Sequence, residues 1–163
     1  MKRSLLITGG AGFIGINSAH FFAAQGWHVV ILDNLSRRGT EDNLAWLREQ
    51  TAFEFIQADI RDAERMRDVL RAQQPEVVLH LAAQVAVTTS VQNPREDFDI
   101  NALGTFNLLE AVRLESPRSF FINASTNKVY GKMEQIGVVE RNGRYEYRDL
   151  PEGVDEAQLL DFH

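Results

Sequence analysis

The 163-residue chain contains no cysteine. That excludes a disulfide framework, a thiolate metal site and a cysteine nucleophile, and no metal site is expected. Long hydrophobic runs are missing as well: the apolar stretches are strand-length, far short of the ~20 residues of a membrane-spanning helix. Positive charge is in deficit. Seventeen Lys and Arg against 23 Asp and Glu leave a formal net charge of −6, which argues against a nucleic-acid partner held through its phosphates. Met1-Lys2-Arg3-Ser4 runs through Leu5-Leu6-Ile7 directly into glycines, without the apolar core of a signal peptide. The expected compartment is the cytoplasm, with no membrane partner.

What is present is an ordinary globular composition, 44% hydrophobic and 25% charged. A chain of this length can bury roughly two-thirds of its unfolded surface. No internal repeat or low-complexity tract interrupts it. Leu5-Leu6-Ile7, Val29-Val30-Ile31-Leu32, Phe53-Glu54-Phe55-Ile56, Val77-Val78-Leu79-His80-Leu81 and Ser119-Phe120-Phe121-Ile122 are short, apolar and rich in β-branched or aromatic residues. Such runs fit strands buried on both faces of a parallel sheet. Helical patterns near 13–25, 40–50, 62–74 and 95–115 separate them. Strand and helix in alternation predict βαβ units and an α/β, doubly wound parallel sheet.

Segment 95–115 is apolar nearly all round when wound as a helix, through Phe98, Ile100, Ala102, Leu103, Phe106, Leu108, Leu109, Ala111, Val112 and Leu114. Such a helix needs cover on every side. Either it lies central in this domain, or its outer face is a subunit interface and the protein a homo-oligomer. After residue 130 the alternation stops. Val138-Val139-Glu140-Arg141, Asn142-Gly143 and Arg144-Tyr145-Glu146-Tyr147 read as a hairpin, because Asn-Gly favours a tight turn with positive φ at both centres. The division expected is a nucleotide-binding domain over 1–130 and a surface hairpin or insertion over 131–163.

Thr8-Gly9-Gly10-Ala11-Gly12-Phe13-Ile14-Gly15 joins the first strand to the first helix. It holds both Gly9-x-x-Gly12-x-x-Gly15 and Gly10-x-Gly12-x-x-Gly15. A dinucleotide site needs one glycine for a tight turn, one for the approach of a pyrophosphate and one for packing helix on strand. The helix start then offers free N–H groups to the phosphates. Asp33 ends the next strand, 18 residues past Gly15, where a carboxylate meets the adenosine ribose hydroxyls. That carboxylate repels a 2′-phosphate and favours NAD over NADP, although Arg37 and Arg38 could accept the phosphate or stack on adenine. Asp59-Ile60 follows the third strand; Asp59 could take the adenine amino group and Ile60 pack on the ring. Asp59 could instead cap the helix at 62–74, a role open to Asp62 too. Leu81-Ala82-Ala83 ends the fourth strand with small residues, either to let a cofactor cross the sheet edge or for close packing alone.

Together with Asp33-Asn34-Leu35, Asp59-Ile60, His80-Leu81-Ala82-Ala83, Asn101-x-x-Gly104-Thr105 and Ser125-Thr126-Asn127-Lys128-Val129-Tyr130-Gly131, the glycine loop resembles the extended short-chain dehydrogenase/reductase family, that of the NAD-dependent epimerases and dehydratases. Gln84-Val85-Ala86-Val87-Thr88-Thr89-Ser90 with Asn93-Pro94, and the terminal Leu160-Asp161-Phe162-His163, look most like its CDP-tyvelose 2-epimerase branch. The resemblance implies a Rossmann sheet and NAD held by Gly9, Gly12, Phe13, Ile14, Asp33, Asn34, Leu35, Ser36, Arg37, Asp59, Ile60, Leu81, Ala82, Ala83, Gln84, Asn101 and Ala124. It implies a nucleotide-sugar substrate, a CDP-hexose, near Val85, Thr126, Asn127 and Lys128. The resemblance further implies that a hydride leaves a sugar carbon for NAD and returns to it. Thr126 matches the Ser/Thr that hydrogen-bonds the reacting sugar oxygen and is the one catalytic position present. Family dehydratases place Asp-Glu after that Thr; here the pair is Asn127-Lys128, and an amide supplies no acid at neutral pH.

The family's Tyr-x-x-x-Lys is not found: Tyr130, Tyr145 and Tyr147 are followed at +4 by Glu134, Asp149 and Pro151. The same resemblance implies that the last strands of the sheet, the C-terminal substrate domain and the second half of a dimer bundle built with helix 95–115 lie outside this sequence. The chain therefore reads as the N-terminal fragment of an epimerase, inactive alone. The alternatives are a non-catalytic dinucleotide-binding module and a relative of the 4-epimerases or dehydratases.

Overall fold

The computed structural model describes residues 3–158. The five apolar runs form β1 (Ser4–Thr8), β2 (His28–Asp33), β3 (Glu54–Gln57), β4 (Val77–His80) and β5 (Phe120–Asn123). All are parallel, in the order β3-β2-β1-β4-β5. This is a Rossmann-type doubly wound sheet: the order reverses between β1 and β4, the switch point outside whose C-terminal strand ends ligands bind in such folds.

Period-two alternation along the strands supplies two cores, one on each face. Leu6, Val30, Leu32 and Val78 point one way, onto Met66, Val69 and Leu70 of α3 (Ala63–Gln73) and Leu108, Ala111 and Val112 further on. Leu5, Ile7, Val29 and Ile31 point the other way, onto Ile16 and Ala19 of α1 (Phe13–Ala24) and Leu44 and Leu47 of α2 (Thr40–Gln50). Both faces being covered explains why β1 and β2 are continuous apolar runs. Full burial of each such side chain contributes about 1.5–3 kcal/mol.

The helix expected over 95–115 is present but composite. Val87–Gln92 is a short α4, which the sequence reading did not anticipate. α5 (Pro94–Phe98) follows, started by Asn93, whose side chain accepts from the Glu96 N–H. A π-helical turn spans Asp99–Gly104 before α6 (Thr105–Glu115). The turn sits where Gly104 meets Ile60: a Cβ on Gly104 would lie 2.6 Å from Ile60 Cδ1. Leu108, Ala111 and Val112 are buried, whereas Phe98, Leu103, Phe106, Leu109 and Leu114 stay exposed in this chain. α6 is also tied to α3 by polar contacts, with Arg67 and Arg71 both on the Glu115 carboxylate.

The chain divides after Ala124 into two units. In the second, a 3-10 turn covers Asn127–Tyr130, and β6 (Val138–Arg141) pairs antiparallel with β7 (Arg144–Tyr147). Asn142 and Gly143 have φ of 53° and 77°, the doubly positive turn expected from their sequence. Tyr130, Met133, Ile136 and Tyr147 of this unit line a cavity of about 430 Å³. The terminal Leu160-Asp161-Phe162-His163 run lies outside the described residues.

Candidate functional site

The glycine loop leaves β1 at the switch point and opens α1. Gly9 has a φ of 65°, and a Cβ there would lie 2.7 Å from the Ala82 backbone N, so only glycine serves both the turn and the contact with the segment after β4. A Cβ on Gly15 would lie 2.5 Å from Gly10 Cα, which makes it the glycine that seats helix on loop. Gly12, the N-cap, differs. Its hypothetical Cβ meets only Gly9 O, at 3.2 Å, and would otherwise fill open space. No side chain caps α1 and no acidic residue stands in its first turn, so its leading N–H groups and positive dipole end are left for an anion. Phe13 and Ile14 on that turn are 81% and 65% exposed. Asn43 of α2 holds the loop from behind by donating to Ala11 O at 2.8 Å.

Asp33 ends β2 nearly buried. One carboxylate oxygen accepts from the Ala11 N–H at 3.1 Å and the other from the Leu35 N–H at 2.9 Å. The acid is thus pre-oriented against the glycine loop. Asn34 accepts from the Ser36 N–H and donates to Asp59 at 2.9 Å. Leu35, at φ 59°, bends the backbone there, beside a cavity of about 540 Å³ lined by Ser36, Arg37, Arg38 and Gly39. Asp59 is held well below the usual carboxylate range, at about 2, chiefly by hydrogen bonds from the Arg61 side chain. It does not cap α3. Asp62 does, accepting from the Arg65 N–H at 3.0 Å. The Ile60 side chain is 4% exposed and belongs to the core.

After β4, Leu81 and Ala82 are half-buried, Ala83 is exposed and Val85 strongly so. Asn101, on the π-helical turn, grips Gln84 at both backbone groups: its Oδ1 accepts from Gln84 N–H at 2.8 Å and its Nδ2 donates to Gln84 O at 2.9 Å. Arg37 reaches across from the β2 side to donate to Ala83 O and Gln84 Oε1 at 3.1 and 3.2 Å. Ala124 follows β5 and donates its N–H to His80 O at 3.1 Å. The structure therefore gathers Gly9, Gly12, Asp33, Asn34, Leu35, Arg37, Asp59, Ala82, Gln84 and Asn101 at the C-terminal ends of the strands. Thr126 lies in the second unit and is exposed. The Asn127 and Lys128 side chains lie outside the described residues.

Sequence reasoning missed His80 as more than part of a motif. Its ring is buried, with Nδ1 2.6 Å from Thr8 Oγ1 and Nε2 2.9 Å from Thr105 Oγ1. Burial lowers its pKa to about 4, so it is neutral at physiological pH. Both contacts join residues far apart in the chain, and the one available signal was a polar ring inside a strand that must be buried on both faces.

Sheet order, switch-point glycine loop and strand-end acid define a Rossmann-type nucleotide-binding domain. The chain belongs to the family described as GDP-mannose 4,6 dehydratase, whose model matches residues 6–147. It is similar to the CDP-paratose 2-epimerase of Salmonella typhi, at 49% identity over 159 residues, covering 98% of this chain and 47% of that protein. Among solved structures, it superposes on the UDP-Glc/GlcNAc 4-epimerase of Campylobacter jejuni with a TM-score of 0.73 and 32% identity, covering 79% of this chain and 39% of the other. The UDP-glucose-4-epimerase of Stenotrophomonas maltophila, crystallised with bound NAD and formylated UDP-arabinopyranose, gives 0.71 and 34%, covering 81% and 39%. The chain spans about half the length or less of these proteins. Among the described residues, no helix is long and apolar enough to cross a membrane, and no group of His, Cys, Asp or Glu is placed to hold a metal ion.

Proposed function

We propose that this chain is the cofactor-binding portion of an NAD-dependent nucleotide-sugar epimerase acting at C2 of a CDP-hexose in the cytoplasm. The observation that carries the reading is the uncapped start of α1 at Gly12 with Asp33 braced behind it: an anion site and a diol acceptor joined by one hydrogen bond, from Ala11 N–H to Asp33. These residues fit a dinucleotide. The N–H groups of the first turn bind a diphosphate, and Gly12 leaves room for it. The Asp33 carboxylate takes ribose hydroxyls and opposes a 2′-phosphate. Asn34, Leu35, Ser36 and Arg37 border the adenosine side, and Ala82, Ala83, Gln84 and Asn101 border the nicotinamide side. The bound cofactor supplies an acceptor for a sugar hydride that it later returns.

Thr126 is assigned to hydrogen-bond the sugar oxygen, with Val85, Asn127 and Lys128 as further substrate contacts. Asn127 cannot act as the acid of a water elimination, which supports epimerisation over dehydration. The similarity to CDP-paratose 2-epimerase over 98% of the chain supports the choice of sugar nucleotide and carbon. The exposed Phe98, Leu103 and Phe106 support homo-oligomer formation through segment 95–115. None of the three tyrosines has lysine four residues on, so the 163-residue chain alone binds cofactor without turnover, as a pure dinucleotide-binding module does. Calorimetric titration with NAD tests the reading: heat is expected, weakened strongly by Asp33→Asn. No heat at millimolar NAD, or turnover of a CDP-hexose by this chain alone, overturns the respective half.

A further inference from the structure

We propose that His80, as the neutral Nε2–H tautomer, is a positioning residue that fixes the width of the cofactor crevice through a relay of hydrogen bonds running one way from Ala82 to Asn101. The proposal rests on the reading of that crevice as a dinucleotide site. The direction follows from the partners. Thr105 Oγ1 donates its only proton to the Asn101 carbonyl at 2.7 Å, so toward His80 it can only accept, and Nε2 must carry the ring proton. Nδ1 is then an acceptor, and the Thr8 hydroxyl 2.6 Å away must donate to it. With its proton committed, Thr8 Oγ1 is oriented to accept from the Ala82 N–H at 3.4 Å.

The chain of donors thus runs from Ala82 through Thr8, His80 and Thr105 to Asn101. Asn101 returns to the starting segment through its two bonds to the Gln84 backbone. The circuit closes on Ala82–Gln84, which it pins at both ends. The same segment forms the wall against Gly9, where the Ala82 N would sit 2.7 Å from a Cβ. His80 therefore links the loop that takes the diphosphate to the wall opposite it. From Ala82 to the Asn101 carbonyl every bond runs in one sense, so a ring proton on Nδ1 in place of Nε2 sets the bare Nε2 against the Thr105 oxygen and takes away the acceptor of the Thr8 proton. Such linked bonds, centred on the buried Thr8–His80 contact, polarise one another and specify one geometry. Asn101 lies on the π-helical turn and Thr105 opens α6 directly after it, so the two stand i and i+4 on one face of the helix.

Three measurements on the 163-residue chain test this. Long-range 1H–15N NMR of the imidazoles is expected to show His80 protonated at Nε2 alone; protonation at Nδ1 overturns the circuit. NAD titration is expected to weaken about tenfold in Thr105→Val, where the acceptor for Nε2–H is lost, and to be largely restored in Thr105→Ser. Amide exchange at Gln84 is expected to speed up in the same variant and recover with serine. A lower melting temperature in Thr105→Val with unchanged NAD affinity and Gln84 exchange means a structural role only and overturns the proposal. Should the unaltered chain bind no NAD, the dinucleotide reading fails, while the tautomer and exchange measurements still decide the circuit. His80→Gln, which keeps a donor toward Thr105 and loses the acceptor for Thr8, is expected to speed exchange at Ala82 more than at Gln84.

Discussion

The two units of the chain are held by opposite kinds of contact. Residues up to Ala124 are organised over long sequence separations. Thr8 bonds His80 across 72 residues, and Ala11 bonds Asp33 across 22. Among the described residues, no buried side-chain nitrogen or oxygen there or elsewhere lacks a hydrogen-bond partner. The hairpin of the second unit is local: Arg141 pairs with Arg144 across a two-residue turn, and Arg144 meets Glu146 two residues on. Function that depends on a shaped crevice belongs with the first kind of contact, because only distant segments can face one another across a gap. A change to one member of that set is felt throughout it, whereas a change in the hairpin stays where it is made.

The largest expected effect comes from Gly15→Ala. The added Cβ lands on backbone that cannot yield, 2.5 Å from Gly10 Cα. A loss of about 3 kcal/mol in denaturant unfolding is expected, together with loss of NAD binding. A melting temperature within a degree of the unaltered chain would remove the glycine loop from the coupled set. Next is acid. His80 has a pKa of about 4 when folded against 6.5 free, so the unfolded chain takes up its proton first. Stability is full above pH 6.5 and falls by roughly 3 kcal/mol as pH drops to 4. Unfolding curves across that window check it, and His80→Gln is expected to flatten the slope. Asp59 acts in a separate, lower window. Its carboxylate, at about 2 when folded against 3.8 free, contributes fully above pH 3.8 and is lost as pH falls through 2.

Gly143→Ala sharpens the contrast. At φ 77° it strains the hairpin turn by about 1–2 kcal/mol, visible as loss of cross-strand NMR contacts between Val139 and Glu146. NAD affinity is expected to stay unchanged. The smallest effect is reserved for Arg113→Ala on α6. Its pair with Glu110 is an exposed surface contact, and no measurable change in melting temperature is expected.

The strands were legible because burial on both faces leaves an unbroken apolar signature; β3 and β5 begin one residue later than read. The glycine loop, Asp33 and the Asn142-Gly143 turn were legible because their chemistry depends on adjacent residues. α4 was not, since Val87-Thr88-Thr89-Ser90-Val91-Gln92 carries β-branched and hydroxyl residues with poor helix propensity. The π-helical turn left no mark in periodicity; it ends at Gly104, which packs against Ile60, some forty residues away. Asp59 and Asp62 were equal candidates for the cap until geometry gave the role to Asp62. The bonds of Thr8, His80 and Thr105 were out of reach of any reading by spacing, as was Arg37 spanning to Ala83 and Gln84.

The central place of β1 has a consequence for synthesis on the ribosome. One of its flanking partners, β2, follows within 30 residues, but β4 arrives only about 72 residues after Thr8. At translation speeds of about 5–20 residues per second, β1 waits roughly 4–14 s with one apolar edge unclaimed. The nascent chain through that interval is the form in which chaperone contact or premature pairing with a neighbouring polysome product is expected. Any recoding that slows elongation between codons 33 and 77 lengthens that exposure.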